Sequence, residues 1–179
     1  QDSYSPNGII GEKDACGVGF IANVKGIESN WILKQSLKGL NCMEHRGGCG
    51  GDSDSGDGAG ILCSIPWKYL EEEMNLSNNK DFDRGLGMVF MPNKKEKIEE
   101  CKSICEKEAE KLRVKKTFWR TVPVNNEILG PLAKANAPFV SQWIIYIDKK
   151  DTQDIERLLF QLRKRIEKKI REAFKNHVG

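Results

Sequence analysis

The sequence predicts an α+β domain, and three observations predict it. Apolar residues recur at helical spacing in several segments, short runs of β-branched and aromatic residues stand between them, and Gly or Pro marks most of the changes from one pattern to the other. At 179 residues the length suits one domain, and 39% hydrophobic with 31% charged residues is the mix of a soluble globular chain. Lys+Arg 29 against Asp+Glu 26 leaves a net charge of +3, too balanced for a chain that holds nucleic acid by charge alone. No apolar run reaches the roughly 18 residues of a membrane span. Six cysteines, without a pair of C-x-x-C motifs, point to reduced thiols rather than a disulfide framework.

Residues 1–15, QDSYSPNGIIGEKDA, mix turn formers with isolated apolar side chains and are read as a leader outside the core. No initiator Met or signal peptide opens the sequence, so residue 1 is expected to be a processed or cut end. From Cys16, the run CGVGFIANV predicts a strand buried on both faces, whose glycines imply close packing against it. Ile32, Leu33, Leu37, Leu40 and Met43 predict an amphipathic helix that ends near 44–46, before Gly47 and Gly48. Residues 47–60, GGCGGDSDSGDGAG, can only form a loop.

A short strand is expected over 61–65, stopped by Pro66, then a helix over 67–74 and a third strand over 85–91, stopped by Pro92. Ile98, Cys101, Cys105, Ala109 and Leu112 lie on one face of a charged helix over 94–114. Residues 117–124 and 139–147 read as strands flanking the segment 129–136. Ile155, Leu158, Leu159, Leu162, Ile166, Ile170 and Phe174 give the last helix, 152–175, whose basic residues form a solvated face.

Few residues qualify for chemistry on pattern alone. Asp52, Asp54 and Asp57 do not make a calcium loop: counting from Asp52, the sixth position is Asp57 rather than Gly, and the twelfth is Cys63 rather than Glu. The aspartates are expected instead to cap backbone N–H groups. The glycines lead into no Lys-Ser/Thr and no helix, which excludes a phosphate loop. Cys101 and Cys105 stand four apart with no further ligand nearby in sequence and read as core residues, and Cys42 and Cys63 read as structural. Cys49 sits among glycines, and His45 and His177 are too few for a metal site. Cys16 differs by its place at the break between a polar leader and a Gly-rich apolar run.

Three segments in this order and spacing carry a resemblance: Cys16-Gly17-Val18-Gly19-Phe20-Ile21-Ala22, then Cys42-Met43-Glu44-His45-Arg46-Gly47-Gly48-Cys49, then Asp54-Ser55-Gly56-Asp57-Gly58-Ala59-Gly60-Ile61. With Gly87-Met88-Val89-Phe90-Met91-Pro92, Trp119-Arg120-Thr121-Val122-Pro123-Val124, Leu129-Gly130-Pro131-Leu132-Ala133 and the Arg163–Glu167 helix, they resemble the glutaminase domain of glutamate synthases, a class II amidotransferase of the N-terminal-nucleophile type.

The resemblance implies a four-layer αββα sandwich, present here in part over 16–179, with Cys16 as the first residue after leader removal. The freed α-amino group, of pKa about 7.7 to 8.0, would take the proton of a thiol of pKa about 8.5. The thiolate would then release ammonia from L-glutamine. Arg46 is implied as the substrate-binding arginine beside the nucleophile, where a guanidinium orients main-chain carbonyls and favours thiolate. No cofactor is expected in this chain. FMN and an iron–sulfur cluster are implied for the parent enzyme, which would pass ammonia to 2-oxoglutarate with electrons from ferredoxin or an NAD(P)H-linked subunit.

Two departures from the family pattern stand beside the matches. Asp14-Ala15 precede Cys16, so its nitrogen is an amide in this sequence. The family's His-Ser-Arg-Phe-Ser-Thr-Asn and Asn-Gly-Glu segments, which grip the substrate and form the oxyanion hole, do not occur. The remaining domains of the synthase, or another protein, are then expected to cover the exposed faces. The rival expectation is a non-catalytic amidotransferase remnant filling a place in a larger assembly. A plastid stroma or the cytoplasm is the expected compartment.

Overall fold

The computed structural model describes residues 17–43, 47–48, 52, 54–56, 58–76, 81–114, 116–149 and 154–175. The chain divides into two units, residues 1–64 with 128–135 and residues 65–127 with 136–179.

The second unit is built on β3 (Phe139–Asp148), which pairs antiparallel with β1 (Phe82–Met91) on one side and β2 (Lys116–Thr121) on the other. Successive side chains of a strand point to opposite faces, and β3 is apolar on both. Trp143, Ile145 and Ile147 face α3 (Lys95–Lys111) and α5 (Ile155–Phe174), where they pack with Cys105, Ala109 and Leu162. Ile144 and Tyr146 face α2 (Trp67–Glu73) and pack on Leu70, with Phe82 and Phe118 set edge-on to the Tyr146 ring. Trp119 stacks on its register partner Trp143 at 5.2 Å, and its indole N–H donates to Glu106 at 2.8 Å.

Polar ties set the helices on this sheet. Asp154 caps α5 by accepting the Arg157 N–H at 3.0 Å. The almost fully buried Glu108 of α3 binds Arg165 of α5 at 2.9 Å and also pairs with Lys111, so both helices share one carboxylate. Those two cations hold the Glu108 carboxyl below the usual range, Lys111 most strongly. On the opposite face, α2 reaches both outer strands: Glu71 pairs with Arg84 of β1, and Glu73 with Arg120 of β2 at 2.8 Å. Gly85 lets α5 come close to β1, since a Cβ there would lie 2.7 Å from Leu159 Cδ2.

The first unit contains α1 (Asn30–Cys42), capped by Ser29, and α4 (Pro131–Ala135), which follows the 3₁₀ turn Asn126–Ile128. The stripe expected of α1 is only partly covered, with Ile32, Leu40 and Met43 half-buried and Leu33 and Leu37 exposed. Two expected strands do not form. Residues 17–24 and 61–65 have no regular structure, with Val18 95%, Phe20 94% and Leu62 102% exposed. Among the described residues neither segment has a neighbouring strand to close its backbone hydrogen bonds, and an unpaired extended segment is not a strand. The close packing inferred around Gly19 is likewise not found, because nothing lies within 4 Å of a Cβ built there.

The buried centre of β3 fixes the energetic expectation. Ile147→Ala removes a side chain with no exposed surface and should cost about 2–5 kcal/mol, read as a lower denaturant midpoint with unchanged slope.

Candidate active site

The two residues singled out for chemistry, Cys16 and Arg46, lie outside the described residues, as do His45, Cys49 and Asp57. The chain after Cys16 and on either side of 44–46 is described: 17–24, Met43 at the end of α1, and Gly47–Gly48 immediately after Arg46.

The loop that follows Arg46 is fastened to a distant segment by Asp52 and Ser55. The Asp52 carboxylate accepts the backbone N–H of Ser55, the Ser55 hydroxyl at 3.0 Å, and the backbone N–H of Leu132 at 2.9 Å. The Ser55 hydroxyl oxygen in turn accepts the Ala133 N–H at 3.0 Å. Leu132 and Ala133 stand in the first turn of α4, whose amides have no carbonyl partner within the helix, so a side-chain pair 80 and 78 residues away completes the cap. These hydrogen bonds, that from Leu132 foremost, hold the Asp52 carboxyl below its ordinary value against an opposing effect of burial. This is the capping role expected of the aspartates, but the partner is remote.

Two glycines make the closure possible. A Cβ on Gly130 would lie 2.5 Å from Ser55 Oγ and 2.6 Å from Asp54 C and Ser55 N, which no side chain can occupy. A Cβ on Gly56 would lie 2.9 Å from the Gly48 carbonyl oxygen. The loop is therefore drawn together at Gly48 and Gly56 and sealed against Gly130. In the sequence, Leu129-Gly130-Pro131-Leu132-Ala133 stands out only as a motif. A glycine before proline at a helix start was the available signal of a close approach.

Arg120, in the Trp-Arg-Thr-Val-Pro-Val motif, belongs to the second unit. Its side chain is nine-tenths buried, and its guanidinium donates to Gln142 at 2.9 Å and Tyr69 at 3.3 Å and holds the Glu73 carboxyl below its ordinary range through their hydrogen-bonded pair.

The cysteines sort by burial. Cys101 and Cys105 pack in α3 as expected, and burial pushes the Cys105 thiol up to about 12. Cys42 and Cys63 are exposed, contrary to the structural role expected of them, because α1 leaves that end uncovered and no strand forms at 61–65. Cys101 and Cys105 offer two sulfurs where a cluster takes four ligands, and among the described residues no further ligand converges on them. Among the described residues, no three His, Cys, Asp or Glu side chains converge as a metal set. None of the described helices is long and apolar enough to cross a membrane.

The sequence pattern of the class II glutamine amidotransferases matches residues 16–178. The chain is 43% identical over 166 residues to ferredoxin-dependent glutamate synthase 1, chloroplastic/mitochondrial, of Arabidopsis thaliana, covering 90% of this chain and 10% of that protein. It is 42% identical over 177 residues to the chloroplastic ferredoxin-dependent glutamate synthase of Oryza sativa, covering 97% of this chain and 11% of the relative. Identity to ferredoxin-dependent glutamate synthase 2 of Synechocystis is 41% over 170 residues, 93% of this chain and 11% of the relative. The chain thus spans about a tenth of the length of these relatives.

Gly130→Ala should open the closure whatever the reaction: hydrogen–deuterium exchange at the Leu132 and Ala133 amides is expected to rise, with protection in β3 unchanged. The wild-type closure should carry its own acid limit. A carboxyl whose folded-state pKa is depressed contributes its stabilisation above the unfolded value, 3.8, and loses it as pH falls through the lower folded value. A pH series of limited proteolysis within 47–60 should therefore show protection at pH 4–7 that fails below 3.8, and Asp52→Ala should abolish that protection at every pH.

Proposed function

Because the chain belongs to the class II glutamine amidotransferases, we propose that it is part of the glutaminase domain of a glutamate synthase, with Cys16 as nucleophile and Arg46 as the arginine beside it. The observation that carries this reading is where the family match begins. It starts at residue 16, the cysteine that the motif order marks as the nucleophile, which supports reading residues 1–15 as a leader.

The chemistry follows from an N-terminal cysteine. Hydrolysis of the Ala15–Cys16 peptide bond turns an amide nitrogen, which has no useful basicity, into an amine that accepts the thiol proton directly or through one water. The thiolate attacks the side-chain carboxamide carbon of L-glutamine, and the negative charge passes to the carboxamide oxygen. Collapse of that intermediate breaks the C–N bond, and the proton held by the α-ammonium goes to the departing nitrogen as ammonia leaves. Water then attacks the γ-glutamyl thioester, giving L-glutamate and restoring the thiol. Arg46 orients the main chain around the sulfur and favours its ionised form.

The complete domain on this reading is a four-layer αββα sandwich, of which β1, β3 and β2 form part of one sheet. Ammonia would pass to 2-oxoglutarate elsewhere in the polypeptide, where FMN and an iron–sulfur cluster would supply reductive chemistry with electrons from ferredoxin. The chloroplastic names of the plant relatives favour a plastid stroma.

In the full-length polypeptide beginning at Cys16, glutamine hydrolysis is expected, together with stoichiometric labelling of Cys16 by a glutamine-analogue diazoketone located by peptide mass. Cys16→Ser should lower ammonia release at least about 1000-fold and abolish labelling. A processed wild-type protein that neither releases ammonia nor labels would refute the assignment.

A further inference from the structure

We propose that α3 and α5 together form a self-complementary surface on which a second copy of this chain docks, with α5 of each copy lying along α3 of the other. Both helices cover the same face of the sheet, so their far sides point away from it. Those far sides carry opposite charge.

On α3 the outward stripe, at alternating spacings of three and four, is Glu96, Glu99, Ser103, Glu106 and Glu110. Several lysines of the helix are drawn away from it: Lys97 stands over the Phe174 ring at 4.6 Å, Lys102 over Trp119 at 5.7 Å, and Lys111 pairs with the buried Glu108. The Glu106 carboxylate accepts the Trp119 N–H, which leaves the exposed Glu96, Glu99 and Glu110 to face outward. On α5 with its C-cap Lys175, eight Lys/Arg stand against three Glu, and the exposed side includes Lys164, Lys168, Arg171 and Lys175. Glu167 lies within 3.6 Å of Arg163, Lys164 and Arg171, one carboxylate among three cations.

Register makes the two stripes fit. Lys97 meets Phe174 while Glu108 meets Arg165, so α3 and α5 run antiparallel. Glu96 is then level with Lys175, Glu99 with Arg171 and Glu110 with Lys164, each to within about 3 Å along the axes. A two-fold axis parallel to the helices keeps these heights and exchanges the helices, laying α3 of one copy on α5 of the other. Each acidic residue thereby meets its level cation across the interface, and the arrangement occurs twice, as isologous contacts require.

The same pattern selects the occupant. An acidic protein of another kind, a phosphate backbone or an anionic lipid surface would satisfy α5 but lie against Glu96, Glu99 and Glu110, where like charges repel. A second copy satisfies both stripes at once. Helices of 17 and 20 residues side by side present a face of about 25 by 20 Å, on the order of 500 Å² per copy, near the lower bound for a specific contact. Phe160, 57% exposed and flanked by Arg163 and Lys164, is the large apolar side chain uncovered on α5. The dimer is therefore weak and held by charge, and salt should dissolve it.

Sedimentation velocity of the full-length polypeptide over a micromolar concentration series is expected to show a dimer at about 0.05 M salt, with Kd at least about 10-fold higher at about 0.5 M. One variant carries Glu96→Lys, Glu99→Lys and Glu110→Lys; the other carries Lys164→Glu, Arg171→Glu and Lys175→Glu. Each alone should be monomeric, because both stripes then bear one sign. An equimolar mixture should form a heterodimer, and a chain with both sets of reversals should dimerise by itself. The pair Glu99→Lys and Arg171→Glu repeats the exchange with single substitutions, and unchanged hydrogen exchange in β3 separates loss of docking from loss of fold. A wild type that stays monomeric at low salt overturns the proposal, as does one that binds a polyglutamate peptide without self-associating. So does a dimer indifferent to either reversal, or a mixture of folded variants that fails to associate.

Discussion

The burial of β3 on both faces is the constraint from which the second unit follows. A strand apolar on one face only can lie against solvent; one carrying Trp143, Ile145 and Ile147 on one side and Ile144 and Tyr146 on the other must be covered twice. That requirement places α3 and α5 on one face and α2 on the other, and makes β1 and β2 its hydrogen-bonding neighbours. Ion pairs then select among the ways of meeting it. Glu108 fixes α5 against α3, while Glu71 and Glu73, two residues apart on α2, are directed to opposite outer strands. Removing one partner from such half-buried pairs leaves the other charge desolvated, so they determine orientation more than they add net stability.

The first unit obeys a different rule. Its described part buries little apolar side chain, and its order comes from capping and close backbone approach. A few directed hydrogen bonds define a position that hydrophobic contact, being non-directional, would leave free to slide.

Legibility in the sequence followed the range of the forces involved. The helix stripes of α3 and α5 and the runs of β1 and β3 were readable because period and composition are local properties, and the stops at Pro92 and around Gly47 are local too. Residues 17–24 and 61–65 carry equally good local signals, yet a strand exists only with a partner, which no window of ten residues specifies. Cys16 and Arg46 stand out in the sequence as motif residues, because order and spacing are properties of the chain itself. The Asp52–Leu132 and Ser55–Ala133 contacts do not, since nothing near Asp52 announces a helix start 80 residues on.

The sorting of the cysteines has a practical consequence. Cys105, with its thiol pushed up to about 12, stays protonated and enclosed at neutral pH and will ignore iodoacetamide or maleimide reagents, whereas Cys42 and Cys63 face solvent and will be alkylated. Total thiol content is therefore a misleading measure of reactive sulfur in this polypeptide. Residue-resolved stoichiometry, with Cys42 and Cys63, the accessible ones among the described cysteines, converted to alanine, lowers the background against which any further reactive thiol can be counted.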